Sequence, residues 1–195
     1  MEELEIEFKN LIDYSKYEEL KSTLFHEAPI ITQTNFYIDT NQYDLKNHKC
    51  ALRIRDNGLS KEMTLKVPQD VGIMEYTGKI DENIIDQEYI GRQYIPENIA
   101  HQLSQMNIPD TGLRIFGALS TERREIKYMS GTLVLDASYY LDTSDYELEF
   151  EVPDYEQGKS EFDAFIKQYH IEQVDTLSKV QRFYNHYAQL TSKIL

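Results

Sequence analysis

Apolar and polar residues alternate along much of this chain. Leu4, Ile6 and Phe8 fall on one side of a two-residue period, and Glu5, Glu7 and Lys9 on the other. That is the pattern of a half-buried strand, because successive side chains point to opposite faces. The same alternation predicts strands over residues 3–11, 35–39, 49–56, 62–67, 72–80, 114–121, 122–129, 132–138 and 146–152. Tyr128-Met129-Ser130-Gly131-Thr132 reads as a tight hairpin in which glycine supplies a positive φ. Loops are expected around Asp56-Asn57-Gly58, Pro68-Gln69-Asp70 and 153–158.

Four stretches follow the helical period instead. Residues 15–25 open on a capping-box pattern, Ser15 with Glu18, and bury Tyr17, Leu20 and Leu24. Residues 96–106 place Pro96 in the first turn and an Ile99, Leu103, Met106 stripe behind it. Residues 160–169 take Ser160 as cap, with Phe162, Phe165 and Ile166 inward. Residues 178–194 line Val180, Phe183, Tyr184 and Tyr187 along one face, a stripe read as core packing. Eight or nine strands with short connections and a few helices predict an α+β, mainly antiparallel β fold, closed or nearly closed on itself. No repeat or linker divides the 195 residues, so 1–195 is read as one domain.

Composition narrows the function. Acids number 34 against 20 bases, a net charge of −14. That field repels phosphate polymers, so neither nucleic acid nor an anionic membrane is an expected partner. The one cysteine, Cys50, excludes an internal disulfide and a cysteine-based zinc site. No apolar run is long enough to span a bilayer, and the acidic start does not resemble a secretory leader. A cytoplasmic protein is the expectation. The dispersed histidines and Cys50 offer no nucleophile with a partner base.

The charges carry more information than their sum. Glu147, Glu149 and Glu151 lie in register on one strand face, and Arg53 and Arg55 on another. An ordinary solvent face mixes signs, whereas rows of one sign repel. Carboxylates grouped this way suit a hard divalent cation. Arg53, Arg55 and Lys66 suit a polyanion gripped by forked guanidinium groups. A barrel with its charged faces inward, and its apolar faces covered by helices, would meet both demands. Lys179 opens a helix where the dipole disfavours a cation.

These residues form a familiar order. Glu5-x-Glu7-x-Lys9 resembles the ExExK signature of the CYTH superfamily, the triphosphate tunnel metalloenzymes. Phe36-Tyr37-Ile38-Asp39-Thr40, Leu52-Arg53-Ile54-Arg55, Thr64-Leu65-Lys66, Glu75-Tyr76, Arg123 or Arg124, Leu135-Asp136, Glu147-x-Glu149-x-Glu151 and Ser178-Lys179 resemble its remaining motifs, in the family's order. Within that superfamily the chain most resembles the small stand-alone proteins of Gram-positive bacteria.

The resemblance implies a closed eight-stranded antiparallel tunnel and Mg²⁺- or Mn²⁺-dependent hydrolysis of a triphosphate. Inorganic triphosphate is the leading substrate. A nucleoside or thiamine triphosphatase, a class IV-type adenylate cyclase, and a non-catalytic polyphosphate or nucleotide sensor are the alternatives. Carried over by position, Lys9, Arg53, Arg55, Lys66, Arg123 or Arg124, and Lys179 hold phosphate. Glu5, Glu7, Glu75, Asp136, Glu147, Glu149 and Glu151 face metal, with Glu5, Glu7, Glu149 and Glu151 nearest the chemistry. Neighbouring strand residues face opposite ways, so one of Arg123 and Arg124 points inward, Arg123 being preferred.

Overall fold

The structure, a computed structural model, describes residues 1–80 and 84–192. Its strands are β1 (Glu2–Ile12), β2 (Ile31–Asp39), β3 (Ala51–Asp56), β4 (Lys61–Pro68), β5 (Ile73–Ile80), β6 (Arg114–Tyr128), β7 (Gly131–Tyr140) and β8 (Thr143–Val152). They close into an eight-stranded barrel in the order β1-β5-β4-β3-β2-β6-β7-β8. Every element foreseen from the alternation is present, with two strands merged. Residues 114–121 and 122–129 form the single strand β6, because nothing between Thr121 and Glu122 can make a turn.

The helices are α1 (Tyr14–Thr23), the short α2 (Asp44–Asn47), α3 (Glu97–Gln105), α4 (Tyr155–Gln168) and α5 (Lys179–Ser192). The last residues of the helix expected over 178–194 lie outside the described residues. Among the described residues no helix is long and apolar enough to cross a membrane.

Two helix starts differ from expectation. α1 is capped by Asp13, whose carboxylate accepts from the Lys16 amide at 2.7 Å, rather than by Ser15. Asp13 is the first residue past β1, so it reaches the orphan amides first. α4 begins at Tyr155 under Asp154, which accepts from the Gln157 amide at 2.9 Å. The 153–158 segment is therefore mostly helix, not loop. Gly158 costs this helix about 1 kcal/mol in propensity. A Cβ there would lie 2.4 Å from Val152 Cγ2, so glycine lets α4 approach β8 closely.

The chain divides into two compact units, Met1–Leu4 with Gln33–Leu119, and Glu5–Thr32 with Ser120–Leu195. In the first, Leu52, Ile54, Met63 and Leu65 of β3 and β4 bury against Ile99, Ala100 and Leu103 of α3. In the second, Leu133, Leu135, Leu148 and Phe150 of β7 and β8 bury against Tyr17 and Leu20 of α1 and Phe162, Phe165 and Ile166 of α4. Each fully buried Leu, Ile or Phe contributes about 1.5–3 kcal/mol. Phe183 and Tyr184 of α5 are buried, as the core reading of that stripe expects. In both units the charged strand residues take the face opposite the apolar one.

The β6–β7 hairpin turns as foreseen, by different means. Met129 holds the positive φ, +46°, and Gly131 does not. Gly131 is required by space: a Cβ would stand 2.2 Å from the Glu151 carbonyl oxygen.

Candidate active site

In the second unit, antiparallel register assembles the charges. β1 lies against β8 with Lys9 opposite Glu149 and Glu7 opposite Glu151. β7 lies on the other side of β8 with Asp136 opposite Glu147. Directly opposed residues share a face, so these strands build one acid-rich wall. Asp136, Glu147 and Glu149 are buried.

Four cations hold that wall. Arg123 grips Asp136 with two hydrogen bonds, Nε to Oδ1 at 2.9 Å and Nη2 to Oδ2 at 2.7 Å. It also donates to Glu149 at 2.7 Å and to Glu151 at 3.5 Å. Lys179 Nζ lies 2.5 Å from Glu149, 2.9 Å from Asp136 and 3.3 Å from Glu147. Lys9 pairs with Glu7, and Arg182 with Glu147 and Asp145.

The extended segment before α5 places Lys179. Asn10, buried in β1, donates to the Glu172 carbonyl and accepts from the Val174 amide. Thr176 Oγ1 then accepts from the Leu11 amide. α5 starts on a capping box: Gln181 Oε1 accepts from the Ser178 amide, and the Gln181 amide donates to Ser178 Oγ.

These contacts move the protonation equilibria. Burial would push Lys179 down, but Asp136, Glu147 and Glu149 outweigh it and hold the ammonium well above its ordinary value. Burial acts against charge on Glu149 too, yet Lys179, Arg123 and Lys9 hold this carboxylate well below the usual range. Glu147 moves the other way, raised by burial and by Glu149 against the pull of Lys179. Burial lifts Glu151 to about 7 despite Arg123, with Glu149, Glu5 and Glu125 adding to the rise.

In the first unit, β3 sits between β2 and β4. Arg53 lies opposite Tyr37 and Thr64, and Arg55 opposite Asn35 and Glu62. Arg55 Nε donates to Asn35 Oδ1 at 3.2 Å. Lys66 and Glu75 are direct partners across β4 and β5, paired at 2.5 Å. Arg53 Nε is buried and has no hydrogen-bond acceptor among the described residues.

The expected residues are thus brought together in two groups, Glu5 to Lys9 with Arg123, Asp136, Glu147 to Glu151 and Lys179 in one, and Arg53, Arg55, Lys66 and Glu75 in the other. Arg124 belongs to neither. It points to the opposite face of β6 and donates to the Ala28 carbonyl at 2.7 Å, as alternation requires of Arg123's neighbour. The acids do not converge on a common centre either. Among the described residues no three His, Cys, Asp or Glu side chains form a group that could hold a metal ion. Arg123 and Lys179 occupy the oxygens of Asp136 and Glu149 instead. The donor set still fits a hard divalent cation in kind, since every candidate ligand is a carboxylate. Glu147 Oε1 is buried and has the Lys179 ammonium at 3.3 Å as an ion-pair partner, but makes no hydrogen bond among the described residues.

Three charged residues in this wall are absent from the sequence reading. Asp145 extends the Glu147, Glu149, Glu151 row by one step of the period. Glu125 extends the row of Arg123 and lies 3.7 Å from it. Arg182 follows Lys179 by three residues and so shares its helix face.

A closed antiparallel barrel whose strands carry rows of acids and bases opposite a helix-packed apolar face belongs to a recognisable class of polar-interior barrels. The CYTH domain model matches residues 3–184, and the chain belongs to that family. It is 36% identical over 185 residues to YjbK of Bacillus subtilis (strain 168), whose name proposes a triphosphatase; the match covers 94% of this chain and 95% of that one. A crystal structure of a proposed adenylate cyclase from Bacillus halodurans superposes with a TM-score of 0.85 at 34% identity, covering 94% and 98% of the two chains. A proposed adenylyl cyclase of Hippeastrum, reported to have a dominant triphosphatase activity, shares the fold at 22% identity and a TM-score of 0.72, covering 94% and 96%. Membership in this family implies a divalent-cation requirement.

Proposed function

We propose that this chain, acting as one CYTH domain over 1–195 in the cytoplasm, is a Mg²⁺- or Mn²⁺-dependent triphosphatase whose substrate is inorganic triphosphate. The relative in Bacillus subtilis, whose name carries the same activity, supports the class of reaction. The observation that carries the reading is Arg53 Nε, a buried charged donor without an acceptor among the described residues, on a strand face shared with Arg55 and Lys66. Leaving such a donor unsatisfied is costly, and a phosphate oxygen satisfies it.

In this reading Lys9, Arg53, Arg55, Lys66, Arg123 and Lys179 bind and orient the phosphate oxygens. Arginines present rigid forks and lysines point charges, a mixture that fixes a short polyanion without reading any base or sugar. Glu5, Glu7, Glu75, Asp136, Glu147, Glu149 and Glu151 are the residues that would hold the cation. When bound, that cation supplies charge neutralisation and Lewis acidity toward water. Phosphoryl transfer needs alignment and electrostatic stabilisation more than a protein nucleophile, which agrees with the absence of a partnered Ser or Cys among the site residues. Glu149, held well below the usual carboxylate range, stays charged across the physiological range and keeps Lys179 and Arg123 oriented.

The test is phosphate release from inorganic triphosphate, ATP and thiamine triphosphate, each in Mg²⁺ and in Mn²⁺, with Glu149→Gln and Arg53→Ala alongside. Release from inorganic triphosphate that is lost in both variants supports the proposal. Cyclic AMP from ATP would make the chain a cyclase. Triphosphate binding without turnover in either metal would make it a sensor.

A further inference from the structure

Arg182 has no place in the set just described. It is buried, and its guanidinium spends its donors on protein alone. Nε donates to Asp145 Oδ2 at 2.8 Å, Nη2 to Asp145 Oδ1 at 3.3 Å and to Glu147 Oε2, and Nη1 to the Leu177 carbonyl at 2.5 Å. Unlike the contacts given above for Arg123 and Lys179, these include a backbone carbonyl, that of Leu177. The guanidinium does not serve its own helix: α5 has Lys179 and Arg182 in its first turn and no acid there, against the sense of the helix dipole. Both cations are held in place by acids of β7 and β8.

The contacts of Arg182 fall on two elements. Asp145 and Glu147 belong to β8, whereas Leu177 is the residue before the capping box that starts α5. The guanidinium therefore ties the N-terminal end of α5 to the acid wall, two residues from Lys179. Glu147 is also within 3.3 Å of Lys179 Nζ, so Arg182 sets one of the three carboxylates that aim it.

We infer that Arg182 is a positioning residue: it fixes the start of α5 and Glu147, and so holds Lys179 at the place where the reading above has it meet phosphate. The planar fork is essential to this role. It reaches two carboxylates and a backbone carbonyl in different directions, which an ammonium on a flexible stem does not reproduce. The inference rests on the assignment of Lys179 to phosphate, and its test separates the two.

Binding of inorganic triphosphate is measured by calorimetry in EDTA, so that no metal enters, for the wild type, Arg182→Lys, Lys179→Ala and the double variant. Melting curves establish that each is folded. Arg182→Lys keeps the charge and should weaken triphosphate binding roughly tenfold, while adding little further loss in the Lys179→Ala background, because the two act through one contact. With Mg²⁺ the same variant should lose turnover, and more in kcat than in KM, since a misplaced group fails in the transition state. A purely structural role predicts a lower melting temperature with triphosphate affinity unchanged. Wild-type affinity in Arg182→Lys overturns the inference, as do losses that simply add in the double variant. If Lys179→Ala binds as well as the wild type, the phosphate assignment itself is overturned and the inference falls with it.

Discussion

Replacing Asp136 with asparagine measures how much the acid wall contributes to the fold. Asp136 is fully buried, bound twice by Arg123 at 2.9 and 2.7 Å, and 2.9 Å from Lys179 Nζ. Asparagine keeps the volume and one acceptor. It removes the charge and turns an N–H₂ group toward a cation. Neutralising one partner of a buried pair costs about 3–5 kcal/mol, because the other charge stays desolvated. Here Arg123 and Lys179 keep Glu149 at 2.7 and 2.5 Å, so the lower end of that range applies. In a chain of this size each kcal/mol shifts Tm by about 2–4 °C, so about 3 kcal/mol corresponds to a drop of roughly 6–12 °C. The assay is a calorimetric melt in EDTA at low and high salt. A buried network responds weakly to salt, so the drop should persist at both. Lys159→Met, which breaks an exposed pair with Asp163, is the control and should leave Tm within about 2 °C. A fall of less than about 3 °C for Asp136→Asn would refute this reasoning, because it would mean that Arg123 and Lys179 are not left uncompensated when the Asp136 charge is removed.

Gly131→Ala should destabilise by about 1–3 kcal/mol, because its Cβ meets the Glu151 carbonyl oxygen at 2.2 Å; an unchanged urea midpoint would refute the steric argument. The Cys50 thiol is buried and pushed up to about 11 by that burial, with Asp39 adding to the rise. Labelling by a thiol reagent at pH 8 should therefore track unfolding, and rapid labelling of the folded protein would contradict it. Burial, with the hydrogen bond to Asp145, lifts the Tyr140 phenol to about 12, above the ordinary value of about 10. The folded state thus holds this proton more tightly, so its contribution is constant below about pH 10 and is lost as pH rises toward 12. Urea midpoints at pH 9 and 11 should show that decline, and Tyr140→Phe should flatten it. Arg124→Ala should keep triphosphate turnover within about twofold, whereas Arg123→Ala should lose about a hundredfold; equal losses would overturn the assignment of β6 faces.

The elements most legible in the sequence are those set by local periodicity. Glu5 to Lys9, Leu52 to Arg55 and Glu147 to Val152 alternate cleanly, so strand, face and core side could all be read at once. Helix starts were less legible, because they depend on where the preceding strand lets go. Ser15 with Glu18 is a sound cap pattern, yet Asp13 stands nearer the end of β1 and takes the role. Gly131 is required by space and not by a positive φ. Its sequence neighbours suggest a turn, and the crowding that excludes a side chain comes from Glu151, twenty residues on in a different strand.

The charged rows show the same division. That they are grouped by sign is a local fact, and it points to ligands of opposite sign. Which charge faces which is a fact of register, and register joins residues far apart in the chain. Lys9 meets Glu149, and Lys179 reaches Glu149, Asp136 and Glu147. The acids whose grouping points to a metal are paired with the protein's own cations. Those cations are among the ones proposed to hold phosphate, so a polyanion that engages Lys179 and Arg123 draws them from Glu149 and Asp136 and leaves carboxylates in need of a cation. Under the proposed function, anion and cation sites on this wall would therefore be coupled through shared ion pairs, and coupling of this kind is reciprocal. Removing an acid should loosen the hold on its cation as surely as it removes a proposed ligand for metal, so effects of substitution in this wall will not add.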